Sequence, residues 1–354
     1  MIQQRKRSSR KHDLIKRFIN DRIQRGIYTG KLPGVSKLAQ EFDVNSQTVN
    51  RAFDSLAEEG IVERRSRVGT FVIRKKRIAV LSLNQKNRML KAHNFDVPPI
   101  FQTMLGSLEN AACENNLQLL PYATDIKDRE FIDFLKGEVD GLVLLLAPHF
   151  DERNLKIFDG VPWVKVMGET FKSAQGNIVT YDNSLIGKLA AESLIRQGSE
   201  RFYYIGGIDR NLFKERFEVF DATLKQAGFK GELVELDIRK LLVGELLDKA
   251  EKYFKKIFVS EAPRSGLFLS ADIYGVPIYQ KLYSMGLKPV EDVPIVSCDN
   301  NKLVLYGLYP KPEVIDIRLA DIGVRAIDVL MNCFKEQADK KAEKVVLEPV
   351  LLHK

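Results

Sequence analysis

From Arg77 onward the chain alternates two patterns, and this alternation restricts its fold more than any other feature. Short β-branched or aromatic-rich runs (RIAVLSL, LQLLPYA, DGLVLLLA, WVKVM, NIVTYD, RFYYIGG, SGLFLSA and VPIVSCD) are mostly separated by helical patterns, such as residues 101–115, 183–196, 213–227 and 273–285. Strand–helix alternation predicts the α/β class, with parallel sheets covered by helices. The chain has 354 residues, so the part beyond Arg77 is long for one sheet and comfortable for two lobes. The expected division is a body of residues 77–354, with lobe 1 at about 77–179 and 312–338 and lobe 2 at about 180–311 and 339–354. In open sheets of this kind a ligand sits at the carboxyl ends of the strands.

The polar groups at those ends are His149, Asp182, Arg210, Arg216, Asp272 and Asp299. Carboxylates and guanidiniums that converge across a cleft can fork onto vicinal hydroxyls or an anionic group. Each residue also has a plainer explanation. Asp182 and Asn183 suit the cap of the helix that follows, and Asp272 equally suits a cap for a helix starting at Ile273. His149 follows Pro148 and fits a loop, while Arg216 lies in a helical pattern where a solvated arginine is usual. In an empty cleft Arg216 and Asp299 are expected to be solvated.

The first 77 residues hold 19 Lys and Arg against 8 Asp and Glu, whereas the remainder is slightly acidic. Positive charge confined to one end marks a nucleic-acid-binding head on a neutral body. A helix is expected over residues 13–27, with Leu14, Ile15, Phe18, Ile19 and Ile23 on one face. TGKLPG breaks it. Two short amphipathic helices then follow, joined by Asp43, Val44 and Asn45, with Asn45 placed to cap the second. This spacing suits a helix-turn-helix. In the second helix Val49, Ala52, Phe53 and Leu56 form the apolar stripe, and the other face carries Ser46, Gln47, Asn50, Arg51 and Asp54. Gln47 or Asn50 can pair with adenine in the major groove, and Ser46, Thr48 and Arg51 can reach phosphates. Beyond Gly60, IVERRSRVGTFVI reads as two short strands around a basic tip of Arg64, Arg65 and Arg67.

The stretch GIYTGKLPGVSKLAQEFDVNSQTVNRAFDSLAEEGIVERRSRVGTFV resembles the winged-helix head of GntR-type bacterial transcription regulators. That resemblance implies that residues 1–76 bind operator DNA. The residues expected to reach it in this chain are Ser36, Asn45, Ser46, Gln47, Thr48, Asn50, Arg51, Arg64, Arg65 and Arg67, although the family often has basic residues at the places of Ser36, Ser46 and Asn50 and Gly at that of Arg67. The blocks DGLVLLL, VTYDNSLIGKLAAESLIRQGSERFYYIGG, RFEVFDATLKQAGF, GLFLSADIYGVPIYQKLYSMGLKPVEDVPIVSCDNN and IDIRLADIGVRAIDVLM resemble the two-lobed, periplasmic-binding-protein-like effector domain of LacI/GalR repressors. That resemblance makes Arg216 and Asp299 the foremost effector-binding positions, joined by Arg210, Phe101 and Phe268. The combination is similar in architecture to arabinose repressors of the Gram-positive type. It implies a homodimeric repressor controlled by a small molecule, a sugar or sugar derivative.

The sequence opposes two other functions. A pyridoxal-phosphate enzyme behind a GntR head needs a Schiff-base lysine and a much larger fold, and the VSCDNN and RFEVFDATL blocks do not fit it. A solute-binding protein without a DNA role is opposed by the basic head. YIGG lacks the G-x-G-x-x-G fingerprint. Cys113, Cys298 and Cys333 show no C-x-x-C spacing, so neither a zinc site nor a disulfide framework is expected. No cofactor, metal or catalytic set is expected. No apolar run approaches the ~20 residues of a membrane span. MIQQRKRSSRKHD has no apolar run behind it, so a cytoplasmic protein without membrane contact is expected.

Overall fold

The computed structural model describes residues 2–83, 99–124, 129–145, 158, 160–167, 176–208, 211–236, 243–258, 264–335 and 342–353. The chain divides into two compact units, Met1–Lys76 and Arg77–Lys354.

In the first unit, α1 (Ile2–Gln24) sets Ile15 and Ile19 into one apolar cluster with the stripe of α3 (Ser46–Glu58), namely Val49, Ala52, Phe53 and Leu56. α2 (Val35–Glu41) contributes Leu38 and Ala39 to the same core. Between α2 and α3 the chain turns at Asp43, whose φ of 47° lies in the left-handed region that Asp tolerates better than most residues. Asn45 then caps α3, accepting from the Thr48 backbone N at 2.9 Å and from Thr48 Oγ1 at 2.8 Å. β1 (Val62–Arg65) and β2 (Gly69–Val72) form an antiparallel wing, with Val62 opposite Val72 and Arg65 opposite Gly69. The first helix starts at Ile2, well before the expected Asp13, and ends at Gln24, ahead of Gly26 with its φ of 70°. The apolar stripe marks only the part of a helix that packs, and nothing in QQRKRSSRKH breaks the helix.

In the second unit, lobe 1 carries a sheet of order β13-β7-β6-β5-β3-β4. Its strands are β3 (Lys76–Leu83), β4 (Leu117–Thr124), β5 (Gly141–Leu145), β6 (Trp163–Val166), β7 (Ile178–Tyr181) and β13 (Lys344–Leu347). Its helices are α4 (Pro99–Glu114), α5 (Arg129–Glu138) and α11 (Leu319–Lys335). Lobe 2 carries a sheet of order β14-β12-β11-β10-β8-β9. Here the strands are β8 (Arg201–Gly206), β9 (Gly231–Glu235), β10 (Ser265–Leu269), β11 (Ile295–Cys298), β12 (Glu313–Asp316) and β14 (Val350–Leu352), the last antiparallel to β12. Around it run α6 (Asn183–Arg196), α7 (Asn211–Gln226), α8 (Val243–Ile257), α9 (Gly275–Ser284) and the short α10 (Lys302–Leu305). β5 and β10 are buried at every position, as strands covered on both faces must be.

The lobe borders differ from the expected ones. β12 (residues 313–316) pairs in lobe 2, and β13 (residues 344–347) pairs in lobe 1 with β7. The described chain crosses between lobes after Tyr181, after Asp316 and after Leu347. Strand propensity cannot reveal which sheet receives a strand, because partners are chosen by long-range packing.

Two glycines fix close helix pairs. A Cβ at Gly187 in α6 would lie 2.3 Å from the Arg216 carbonyl oxygen of α7. One at Gly323 in α11 would lie 2.1 Å from Ser107 Oγ of α4. Among the described residues no helix is long and apolar enough to cross a membrane.

Candidate functional site

The outward face of α3 exposes Ser46, Gln47 and Arg51, with Ser36 exposed on α2. Thr48 does not belong to that face. It is buried, and its hydroxyl donates to Asn45, so it stabilises the start of the helix and is not free to reach a phosphate. Asn45 is exposed, but its side-chain oxygen is committed to the cap. From the wing, Arg64 reaches back to α3, pairing with Asp54 and donating from Nη2 to Asn50 Oδ1 at 2.7 Å. Arg65 pairs with Glu63 at 2.8 Å and lies over the Phe71 ring at 4.8 Å. Arg67 sits at the wing tip with a left-handed φ of 60°.

In the body the polar groups gather at the carboxyl ends of β10 and β11 of lobe 2, beside the end of β7 of lobe 1, where the chain crosses over. Arg216, from α7, is 0 % exposed. It donates to the Ser270 carbonyl, to Asn183 Oδ1 at 3.0 Å and to Cys298 Sγ at 3.5 Å, and its Nε has no partner among the described residues. Its guanidinium lies 5.2 Å from the Phe213 ring and 6.0 Å from that of Tyr181. Burial opposes its charge, but Cys298, Tyr181, Tyr204 and Asp299 around it outweigh burial and keep it a cation. Asp299 follows β11 with φ of 115° and is 9 % exposed. Burial, then the neighbouring Asp272, pushes its carboxyl well above the usual range, while Arg216 pulls the other way. Asp272 accepts from Ser297 Oγ and from the Asn301 backbone N at 2.6 Å. Burial lifts it to about 7, against those two bonds.

Arg216, Asp272 and Asp299 are therefore brought together, but in a buried cluster and not in a solvated cleft as expected. Burial is possible because carbonyl and amide oxygens replace water around the guanidinium. Asp182 caps α6, accepting from the Leu185 N at 3.0 Å. Asn183, read as part of that cap, instead faces Arg216 and is buried. Asp272 caps no helix, since its carboxylate braces the loop after β11. Phe268 is buried in the core, 5.3 Å from the Tyr204 ring and 5.4 Å from that of Phe220. His149 and Arg210 lie outside the described residues, as does the side chain of Phe101, whose backbone is in α4. Residues that the sequence did not point to include Asn301, which caps α10 and donates across the lobes to Thr103 Oγ1 at 3.4 Å. The only signal was its place in the DNN run after β11.

A basic winged helix joined to this two-lobed α/β body with a polar cluster at its strand ends defines a bacterial transcription regulator. Residues 13–72 match the family "Bacterial regulatory proteins, gntR family", and residues 191–353 match the "Periplasmic binding protein-like domain". The arabinose metabolism transcriptional repressor of Halalkalibacterium halodurans is 20% identical over 370 residues, covering 97% of this chain and 95% of that protein. The ribose operon repressor of Escherichia coli is 24% identical over 284 residues, or 77% of this chain and 83% of that one. In fold, a LacI-family transcriptional regulator from Enterococcus faecium with bound ribose superposes with a TM-score of 0.61 at 20% identity, covering 78% of this chain and 97% of that one.

Proposed function

We propose that this protein is a sugar-responsive repressor, acting by binding alone as a cytoplasmic homodimer on operator DNA. The observation that carries the reading is Arg216, a buried cation whose Nε has no partner among the described residues, set beside Asn183 and Asp299. Buried polar atoms are rarely left unpaired, and a ligand hydroxyl would satisfy this one. A mixed set of one cation, an amide and carboxyls that burial holds toward neutrality suits a polyhydroxyl ligand. The relatives named for ribose and arabinose operons support the same class. The contact between Asn301 and Thr103 joins the lobes, so a ligand bound beside it favours one lobe geometry over another. For the dimer, lobe 2 exposes Tyr309, Tyr306 and Leu303 at 82%, 75% and 68%, with Tyr283 beside Tyr309. A surface this apolar is typical of an interface.

The test is a thermal-shift screen against neutral sugars, pentoses first. A sugar at about 100 times its Kd should stabilise the fold by roughly 2.7 kcal/mol. Operator binding is then followed by fluorescence anisotropy. The sugar is expected to lower operator affinity by about 5–150-fold, the usual range of coupling between two sites. Asp299→Asn should abolish that response. A bound sugar that leaves operator affinity unchanged defeats this reading.

A further inference from the structure

We propose that Arg64 is a positioning residue that ties the wing to α3 and fixes the Asn50 amide, so that the base preference at the pair Asn50 reads depends on Arg64. The inference rests on the reading of the head as DNA-binding.

Asn50 and Asp54 are four residues apart on α3, so they share one face a turn apart. Arg64 comes from β1 and spans both. Nη1 donates to Asp54 Oδ1, and Nη2 donates to Asn50 Oδ1 at 2.7 Å. A guanidinium is a planar fork of donors with no acceptor. The Asn50 atom facing it must therefore be the carbonyl oxygen, and the amide Nδ2 is left for a base. An asparagine that pairs with adenine needs both halves of its amide, accepting from N6 and donating to N7. Oδ1 keeps a second lone pair while it accepts from Arg64, so the fork does not exhaust the amide but fixes the plane in which Nδ2 donates and Oδ1 accepts. Either purine offers N7 to that donor, and which base is preferred follows from the orientation that Arg64 imposes.

Asp54 completes the arrangement. Its carboxylate is half exposed on the face turned to DNA, where it would repel phosphates. Arg64 neutralises it, and in doing so spends the charge that would otherwise meet the backbone. Arg64 thus differs from Arg51 and Arg67, for which no pairing with a carboxylate is found among the described residues. It also differs from Arg65, whose partner Glu63 lies on the same strand and leaves α3 untouched.

The experiment uses the full chain and a pool of duplexes randomised over the half-site. Bound duplexes are sequenced for wild type, Asn50→Ala, Arg64→Lys and Asp54→Asn, and affinity is then measured against salt. Asn50→Ala marks the base pair that Asn50 reads, and wild type is expected to select a purine there. Arg64→Lys keeps the charge but loses the fork. It should relax preference at that same base pair by roughly 10-fold with an unchanged salt slope. Asp54→Asn frees Arg64 and should strengthen binding to all duplexes, steepening the log–log salt slope by about 0.9 per head. The proposal is overturned if Arg64→Lys leaves the preference at that pair unchanged. It is equally overturned if Arg64→Lys shifts preference elsewhere or lowers only the affinity common to all sequences. If wild type binds no duplex at low salt, the DNA-binding reading itself fails, which is a separate outcome.

Discussion

Arg216 shows what burial does to the reading of a single residue. The pattern KERFEVF places it on a helix, where a solvated side chain is the ordinary expectation, yet it is wholly buried and its two Nη atoms are held by protein acceptors. Truncating it would strand the Asn183 and Ser270 oxygens in a dry site. Arg216→Ala should therefore cost about 3–5 kcal/mol of stability, read from urea denaturation, and its loss of effector response would then be inseparable from damage to lobe 2. Asp299→Asn is the cleaner variant because it keeps size and removes only an ionisable group. A stability loss as large as that of Arg216→Ala would show that Asp299 is a structural group. Asp272 predicts a pH dependence whose sign can be worked out. Its folded value of about 7 lies above its ordinary 3.8, so between those values the native state holds a proton that the unfolded chain has released. Stability from this group is present below the lower value and is lost as pH rises through the upper one. Urea midpoints should fall across that interval, and Asp272→Asn should flatten the fall. A midpoint that rises with pH in the wild type and is unaffected by the substitution would contradict it.

At the scale of elements, the pairing of α6 with α7 depends on Gly187. Gly187→Ala would push the Arg216 backbone outward, since a real Cβ cannot sit 2.3 Å from a carbonyl oxygen. Overpacking of this kind typically costs about 1–3 kcal/mol. A variant with that loss in chemical denaturation should also bind effector more weakly, because α7 carries the guanidinium. Unchanged effector affinity would show that α7 moves without displacing the site. Most elements were legible before the structure because each carries a local signal. The stripe of α3, the Asn45 cap and the apolar runs of β5 and β10 are written in neighbouring residues. What escaped depends on distant partners. Thr48 and Gln47 are adjacent and both polar, and only the packing of the head decides that Thr48 is buried and Gln47 exposed. Phe268 stands in a strand buried on both faces, so alternation could not say which side it took. Asn183 sat one residue past a good cap and was read as part of it, since its true partner lies in another helix. The sheets that receive β12 and β13 follow from long-range pairing and have no local mark.

For the whole molecule, one recognition helix contacts few base pairs, so two heads are needed for an operator of useful specificity. If the apolar face around Tyr306 joins the copies, Tyr306→Glu should yield monomers in sedimentation velocity and weaken operator binding, while the melting of each chain changes little. A variant that stays dimeric would move the interface elsewhere. The crossings between lobes carry a further consequence, and it concerns the order in which the protein is made. Synthesis runs from the amino end at about 5–20 residues per second, and domains tend to fold as they emerge. The head closes its core between Ile15 and Val72 and needs nothing made later. Lobe 1, although it begins at Arg77, lacks β13 until Leu347 has appeared, and lobe 2 lacks β14 until Leu352. Neither half of the sensor is complete until these last two strands have been made. A chain broken within them would therefore keep a head that can still fold and lose the sensor, together with the lobe 2 surface through which two heads would be joined.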